Sequence, residues 1–184
     1  IVWLAEAGQK EQVVRMVQTL SDFFRASLNS GKDIVSLEGE CRHITSYLQI
    51  QQVRYQDILT YDVDIPEEIA NCKIPKITLQ PLVENALYHG IKNKRGKGRI
   101  VVTGRREKDK CVIRVEDNGI GMTKERLNQV RGGLTTKIED GNDFYGLYNV
   151  NERIRLKFGE GYGLSIDSVL QEGTCVEVWL PWES

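Results

Sequence analysis

The run Cys111-Val112-Ile113-Arg114-Val115-Glu116 ends on Asp117-Asn118-Gly119-Ile120-Gly121, and no other stretch constrains the fold as tightly. The run reads as a strand, in which successive side chains point to opposite faces. Ile113, Val115 and Asp117 therefore share a face. An acid is aimed into the side that apolar residues bury, where an unpaired carboxylate is costly. Asp117 needs a hydrogen-bond donor, and the exocyclic amine of a purine is one such donor. The glycines allow a ligand close to the backbone. Asn-Gly is also a common hairpin turn, and the five residues alone fit that reading. The next residues do not fit it. In Thr123-Lys124-Glu125-Arg126-Leu127, Thr123 is placed as the N-cap of a helix rather than in a returning strand.

A second segment, Leu79-Gln80-Pro81-Leu82-Val83-Glu84-Asn85-Ala86-Leu87-Tyr88-His89-Gly90, carries an apolar stripe at helical spacing. Asn85 and His89 are four apart and lie on a common face. Pro81 suits the first turn of this helix and Gly90 its end. Taken alone, the segment also reads as an ordinary amphipathic helix with a polar outer face.

Together the two segments resemble the nucleotide-binding boxes of the gyrase, Hsp90, histidine kinase and MutL superfamily. Glu84-Asn85-Ala86 with His89-Gly90 resembles the N box, and Asp117-Asn118-Gly119-Ile120-Gly121-Met122 the G1 box. Gly146-Leu147 resembles the G2 box and Gly173-Thr174 the final glycine box. Each box is short, but all four occur in the superfamily's order. Tyr47-Leu48-Gln49-Ile50-Gln51 with Arg54-Tyr55 is similar to the LytS/YesM type of bacterial sensor histidine kinase. So is Asn149-Val150-Asn151-Glu152-Arg153-Ile154 followed by Phe158-Gly159.

The resemblance implies a Bergerat-type fold that holds ATP with Mg²⁺ between helices and sheet. It assigns Asp117 to the adenine amine, Gly119 and Gly121 to close approach of backbone and water, and Asn85 to Mg²⁺, for which an amide oxygen is a suitable hard ligand. His89 would flank the adenine or the sugar; a hydrogen-bonded helix-end histidine is its other reading. Residues 131–145 would form a lid. Gly146 and Leu147 open a helix whose free amides would meet phosphate. Lys92, Lys94, Arg95 and Lys137 could add positive charge or be solvated. Thr174 could reach the pocket floor or serve a turn before a strand. Asn149 and Arg153 fit a phosphate contact or a structural hydrogen bond.

The chemistry implied is transfer of the γ-phosphoryl group to a histidine nitrogen, by positioning and charge neutralisation. Of the two histidines, His89 belongs to the nucleotide site, and the context of His43 does not resemble the family's acceptor motif, Pro-His-Phe followed by Asn. The expectation is a chain that begins after the acceptor and does not autophosphorylate alone. Its partners would be the phosphoacceptor helix of the same protein or its dimer mate, and a response regulator. The resemblance also implies a cytoplasmic domain of a cell-membrane protein, with sensor and membrane segments upstream.

Three positions depart from the family pattern. Phe144 stands where the G2 box often has its first glycine, and Tyr88 where a lysine is frequent. Pro81 stands where the superfamily's ATP-hydrolysing clamps carry a general-base glutamate, which disfavours hydrolysis. No residue is assigned a catalytic role beyond a slight case for Glu84, which is about 100° from Asn85 around the helix and reads equally as a surface acid. A non-catalytic nucleotide-binding module that acts by docking to another protein is the alternative function. A serine kinase of the same superfamily is a third, against which the Tyr47 to Tyr55 segment argues.

The 184 residues suffice for one core with an appendage. Hydrophobic content of 40% and charged content of 28% are those of a soluble globular protein. A net charge of -1 gives no field that attracts nucleic acid or an anionic membrane. Cys41, Cys72, Cys111 and Cys175 show neither zinc spacing nor a disulfide ladder and read as reduced, mostly buried thiols. No apolar run approaches the ~20 residues of a membrane span, and no signal peptide is visible.

Val13, Val17, Leu20, Phe24 and Leu28 form a seam in an opening helix, suited to a coiled coil or to packing on the chain's own core. Residues 29–33 read as a linker, dividing a helical stub (1–33) from the ATP-binding catalytic domain (34–184). Periodicity then gives a helix over 36–55, a strand over 58–65, and a helix over 75–91 followed by a turn at 92–98. Strands are expected at 99–107 and 110–117, a helix at 123–130 and a mobile loop at 131–143. A helix at 146–158 and strands at 163–170 and 174–180 complete the chain. This order predicts an α+β two-layer sandwich, a mixed and largely antiparallel sheet with helices on one face. No Gly-x-x-x-x-Gly-Lys-Ser/Thr or Gly-x-Gly-x-x-Gly occurs, against a P-loop or a dinucleotide fold.

Overall fold

The computed structural model describes residues 1–28, 33–55, 57–136 and 145–182. A short helix, α1 (Val2–Glu6), leads into a long one, α2 (Lys10–Leu28). A strand, β1 (Ile34–Ser36), ends on the residue that caps the next helix, α3 (Leu37–Arg54): the Ser36 hydroxyl accepts from the Gly39 amide at 3.2 Å. Then come β2 (Leu59–Asp64), a single 3₁₀ turn at Glu67–Ile69, and β3 (Lys73–Pro75). Helix α4 (Leu79–Asn85) continues through Ala86–Ile91 in a wider i→i+5 turn, closed by the Lys92 amide on the Leu87 carbonyl at 2.9 Å. The chain finishes with β4 (Gly98–Glu107), β5 (Lys110–Asp117), α5 (Lys124–Gly133), α6 (Tyr145–Phe158), β6 (Gly163–Val169) and β7 (Gly173–Pro181).

The main sheet has the order β2-β4-β5-β7-β6. Only β2 and β4 are parallel. A parallel pair needs a crossover, and the crossover carries α4 onto the sheet. Ile100, Val102, Cys111, Ile113, Val115, Val178 and Leu180 turn inward against Ile44, Leu48, Leu79, Leu82, Leu87 and Ile154 of the helices. The other face carries cross-strand charges: Arg105 pairs with Glu177, and its guanidinium lies 5.8 Å from the Trp179 ring centroid. The expected two-layer α+β sandwich is the observed one. All four cysteines are free, three of them buried.

Three details differ from the sequence reading. Lys73–Pro75 is not the start of a helix but pairs antiparallel with β1, Ile34 opposite Pro75. Residues 131–133 belong to α5 rather than to a mobile loop. There Arg131 donates from Nε to the Ile166 carbonyl at 2.8 Å and pairs with Asp167, which ties the helix end to β6. Finally, α2 packs on α3 with Val13, Met16, Leu20 and Phe23 half-buried and Phe23 against His43 and Tyr47, while Val17 (50%) and Phe24 (53%) are exposed. The inward face follows a 3.6-residue period and shares only Val13 and Leu20 with the expected seam. The Leu28 side chain, residues 29–32 of the expected linker, Lys137 and Phe144 lie outside the described residues.

Candidate functional site

Strand β5, the central one, delivers Asp117 at its C-terminal end beneath α4, and glycines let the backbone close around it. A Cβ on Gly90 would lie 2.5 Å from Asp117 Oδ1; one on Gly119 would lie 2.4 Å from the Gly90 backbone. Gly173, at φ +135, leaves no room for a Cβ against the Asp117 carbonyl. The Ile120 amide donates to the Gly90 carbonyl at 3.2 Å. The two segments singled out in the sequence thus meet backbone to backbone. Gly121, at φ +61, has the Val169 carbonyl where its Cβ would stand. It is needed for packing against the β6–β7 turn, a reason the sequence did not reveal.

The Gly119 amide donates to Asp117 Oδ1 at 2.8 Å. Burial pushes the Asp117 carboxyl up to about 6, against the pull of the Gly119 and Thr174 amides and the Lys94 ammonium. Lys94 is held there by donating to the Asn118 carbonyl at 2.5 Å. At neutral pH Asp117 is therefore an ionised, half-buried acceptor with lone pairs to spare.

A cavity of about 360 Å³ opens beside this carboxylate, the size of a small-molecule site. Asn85, Ala86, His89 and Gly90 form its helical wall; Val115, Asp117, Thr174 and Val176 form its floor. Ile120, Met122, Arg126 and Leu147 close further sides. The lining is mainly apolar with a few polar groups, which suits the faces and edge of a planar base. Asn85 and His89 make no side-chain hydrogen bond among the described residues, so the Asn85 oxygen and the His89 ring nitrogens are available to a ligand.

Of the residues expected at the site, Asn85, His89, Asp117, Gly121, Leu147 and Thr174 line the cavity. Gly119 stands behind Asp117 and supplies an amide. Gly146 lies in the first turn of α6, beyond the lining, with nothing within 4 Å of its missing Cβ. Lys92 also lies outside the lining, its ammonium 5.7 Å from the Tyr88 ring centroid. Glu84 is turned away from the cavity and accepts from Gln80 Nε2 at 2.8 Å.

Residues missed in the sequence hold the walls. Ser168 accepts from the Met122 amide at 2.9 Å and bonds the Thr174 hydroxyl at 2.9 Å. Asn93 donates to the Tyr88 and His89 carbonyls at 3.1 and 3.3 Å. An isolated serine in a strand and an asparagine in a basic turn carry no pattern that would find them.

The family model described as "Histidine kinase-, DNA gyrase B-, and HSP90-like ATPase" matches residues 75–184. The chain belongs to that family. A second model, "Histidine kinase", matches residues 1–59. Sensor histidine kinase YesM of Bacillus subtilis is 37% identical over 98% of this chain and 30% of its own length. Sensor histidine kinase BtsS of Escherichia coli is 34% identical over 94% of this chain and 28% of its own length. This chain therefore spans less than a third of these curated relatives. Among solved structures, the histidine kinase domain of the Erythrobacter litoralis EL346 blue-light activated kinase superposes with a TM-score of 0.58. It has 16% identity and covers 91% of this chain and 73% of that one. The superposition shows a shared fold.

Proposed function

We propose that the cavity between α4 and the sheet binds ATP, and that this domain presents the γ-phosphate to a histidine outside these 184 residues. The observation that carries the reading is Asp117: a half-buried carboxylate, ringed by glycines, beside an otherwise largely apolar cavity. An adenine amine supplies a further donor for the lone pairs that the Gly119 and Thr174 amides leave free. Asn85, with its oxygen uncommitted at the cavity wall, would hold Mg²⁺, for which an amide oxygen is a suitable hard ligand, and the ion would supply positive charge against the phosphates. His89 flanks the base or sugar, and the Thr174 amide and Gly119 fix the carboxylate. The amides of Gly146 and Leu147 and the Lys92 ammonium serve the phosphates, while Lys94 stays beside Asp117 on the Asn118 carbonyl.

Neither histidine suits the acceptor role. His43 is 3% exposed, stacked on Phe23 at 4.7 Å and bonded to Gln80; His89 lines the nucleotide cavity. The proposed domain division is a stub of the phosphoacceptor region (1–33) and a catalytic domain (34–184). In the whole protein the acceptor lies on the helical region of the same protein or its dimer mate. A response regulator receives the phosphoryl group, and the domain sits on the cytoplasmic side of a membrane sensor.

Calorimetric titration of Mg-ATP into the chain and into Asp117→Asn and Asn85→Ala tests the reading. Each substitution is expected to weaken binding at least tenfold, about 1.4 kcal/mol, by removing a specific partner. Unchanged affinity in both folded variants removes the site. Labelled ATP supplied with a segment bearing the acceptor histidine then separates a kinase, which transfers label, from a module that only binds.

A further inference from the structure

Glu40 is 2% exposed, and a carboxylate buried to that degree requires several donors. Among the described residues, its three donors all come from the start of α4. Oε1 accepts from the Ile77 amide at 2.7 Å, and Oε2 from the Thr78 and Leu79 amides at 3.0 and 3.1 Å. The first amides of a helix lack intrahelical partners. Thr78, at the N-cap position, leaves them to others, because its hydroxyl donates to the Pro75 carbonyl at 2.6 Å. The helix that carries Asn85 is therefore capped by a side chain of α3.

Ile77 itself has φ +57. The left-handed region is unfavourable for a β-branched residue and persists only where its surroundings hold it. Two neighbours do so. Glu40 takes its amide, and Arg153 of α6 donates from Nη2 to its carbonyl at 2.8 Å. Further along the same face of α3, His43 Nε2 lies 2.6 Å from Gln80 Oε1, and Gln80 in turn donates to Glu84, the residue before Asn85. None of Glu40, Ile77 or Arg153 lines the cavity.

We propose that Glu40 and Arg153 are positioning residues for the nucleotide site: they clamp Ile77 in its left-handed conformation and thereby set the seat of α4 and Asn85. This rests on the proposed binding of ATP in the cavity. Loss of Glu40 orphans three amides and frees Ile77 to relax to negative φ, which displaces the start of α4. Glycine at position 77 adopts the same backbone without a clamp. Strain and clamp are thus coupled, and the coupling separates positioning from a purely structural cap.

The test uses the whole 184-residue chain, with Glu40→Gln, Glu40→Ala, Ile77→Gly and the Glu40→Ala/Ile77→Gly double variant. ATP affinity is measured on folded protein, and amide exchange is followed without nucleotide. Glu40→Ala is expected to bind ATP at least fivefold more weakly, with Glu40→Gln intermediate and Ile77→Gly close to the native chain. The double variant should regain at least threefold over Glu40→Ala, a non-additivity that a simple cap does not produce. Exchange should quicken in residues 77–92 selectively. Where Glu40→Ala fails to fold, Glu40→Gln carries both measurements. Native ATP affinity in folded Glu40 variants, or strictly additive effects in the double variant, overturns the proposal. If the native chain binds no ATP, the functional reading fails and exchange decides the clamp: selective quickening at 77–92 in Glu40→Gln supports it, and unchanged or uniform exchange overturns it.

Discussion

A methyl group on Gly90 would stand 2.5 Å from Asp117 Oδ1 and 2.9 Å from its Cγ. Gly90→Ala must therefore push the carboxylate away or open the α4–sheet seam. The expected result is a loss of about 1–3 kcal/mol in urea unfolding, the usual cost of overpacking, with at least a tenfold fall in ATP affinity. Asp117 also leaves a signature in stability. Its carboxyl is raised from 3.8 to about 6, so between pH 4 and 6 the native chain holds a proton that the unfolded chain has released. Its contribution is most favourable below that window and falls as pH rises through it, by at most about 1.4 kcal/mol per unit; above pH 6 it is constant. Unfolding curves of the native chain and Asp117→Asn should diverge between pH 4 and 6 and run parallel above. Parallel curves throughout would show that the carboxyl is not raised.

At the scale of elements, Asn151 joins three of them. Its Nδ2 donates to the Leu134 carbonyl after α5 at 2.7 Å, and its Oδ1 accepts from the Leu164 amide of β6 at 2.8 Å. Asn151→Ala leaves a buried carbonyl and amide unpaired and should cost about 2–3 kcal/mol in thermal or urea unfolding. The sequence marked this asparagine only as part of a family motif; its bonding needs the fold. What was legible came from periodicity and termini: the alternation of β5, the stripe of α4, and the Thr123 cap, whose hydroxyl accepts from the Arg126 amide at 3.2 Å. What was not legible depends on distant partners. β3 is three residues long and exists because β1 pairs with it. Ile77 takes an unfavourable φ because Glu40 and Arg153 hold it. Phe23 rather than Phe24 faces inward because α3 presents His43 and Tyr47 there, 4.7 and 6.3 Å from its ring. Of the expected site residues, Asn85, His89, Asp117 and Thr174 line the cavity and Lys92 and Gly146 do not; Ser168 and Asn93, whose hydrogen bonds go to other protein atoms, had no sequence signal.

For the molecule as a whole, the sheet's single covered face leaves one place where helix, strand end and glycine turns converge, and the cavity lies there. The central claim is that Asp117 reads the purine amine at that place. Comparing ATP with inosine triphosphate tests it most directly, because position 6 of the ring is a donor in the first and an acceptor in the second, while the neighbouring N1 changes from acceptor to donor and lies one atom away from where Asp117 would read the amine. The native chain should prefer ATP by at least tenfold at pH 7, about 1.4 kcal/mol or more. In folded Asp117→Asn, whose amide can donate to the oxo group, the preference should collapse or reverse. Equal affinity of the native chain for both nucleotides, or an undiminished preference in the variant, would contradict the account.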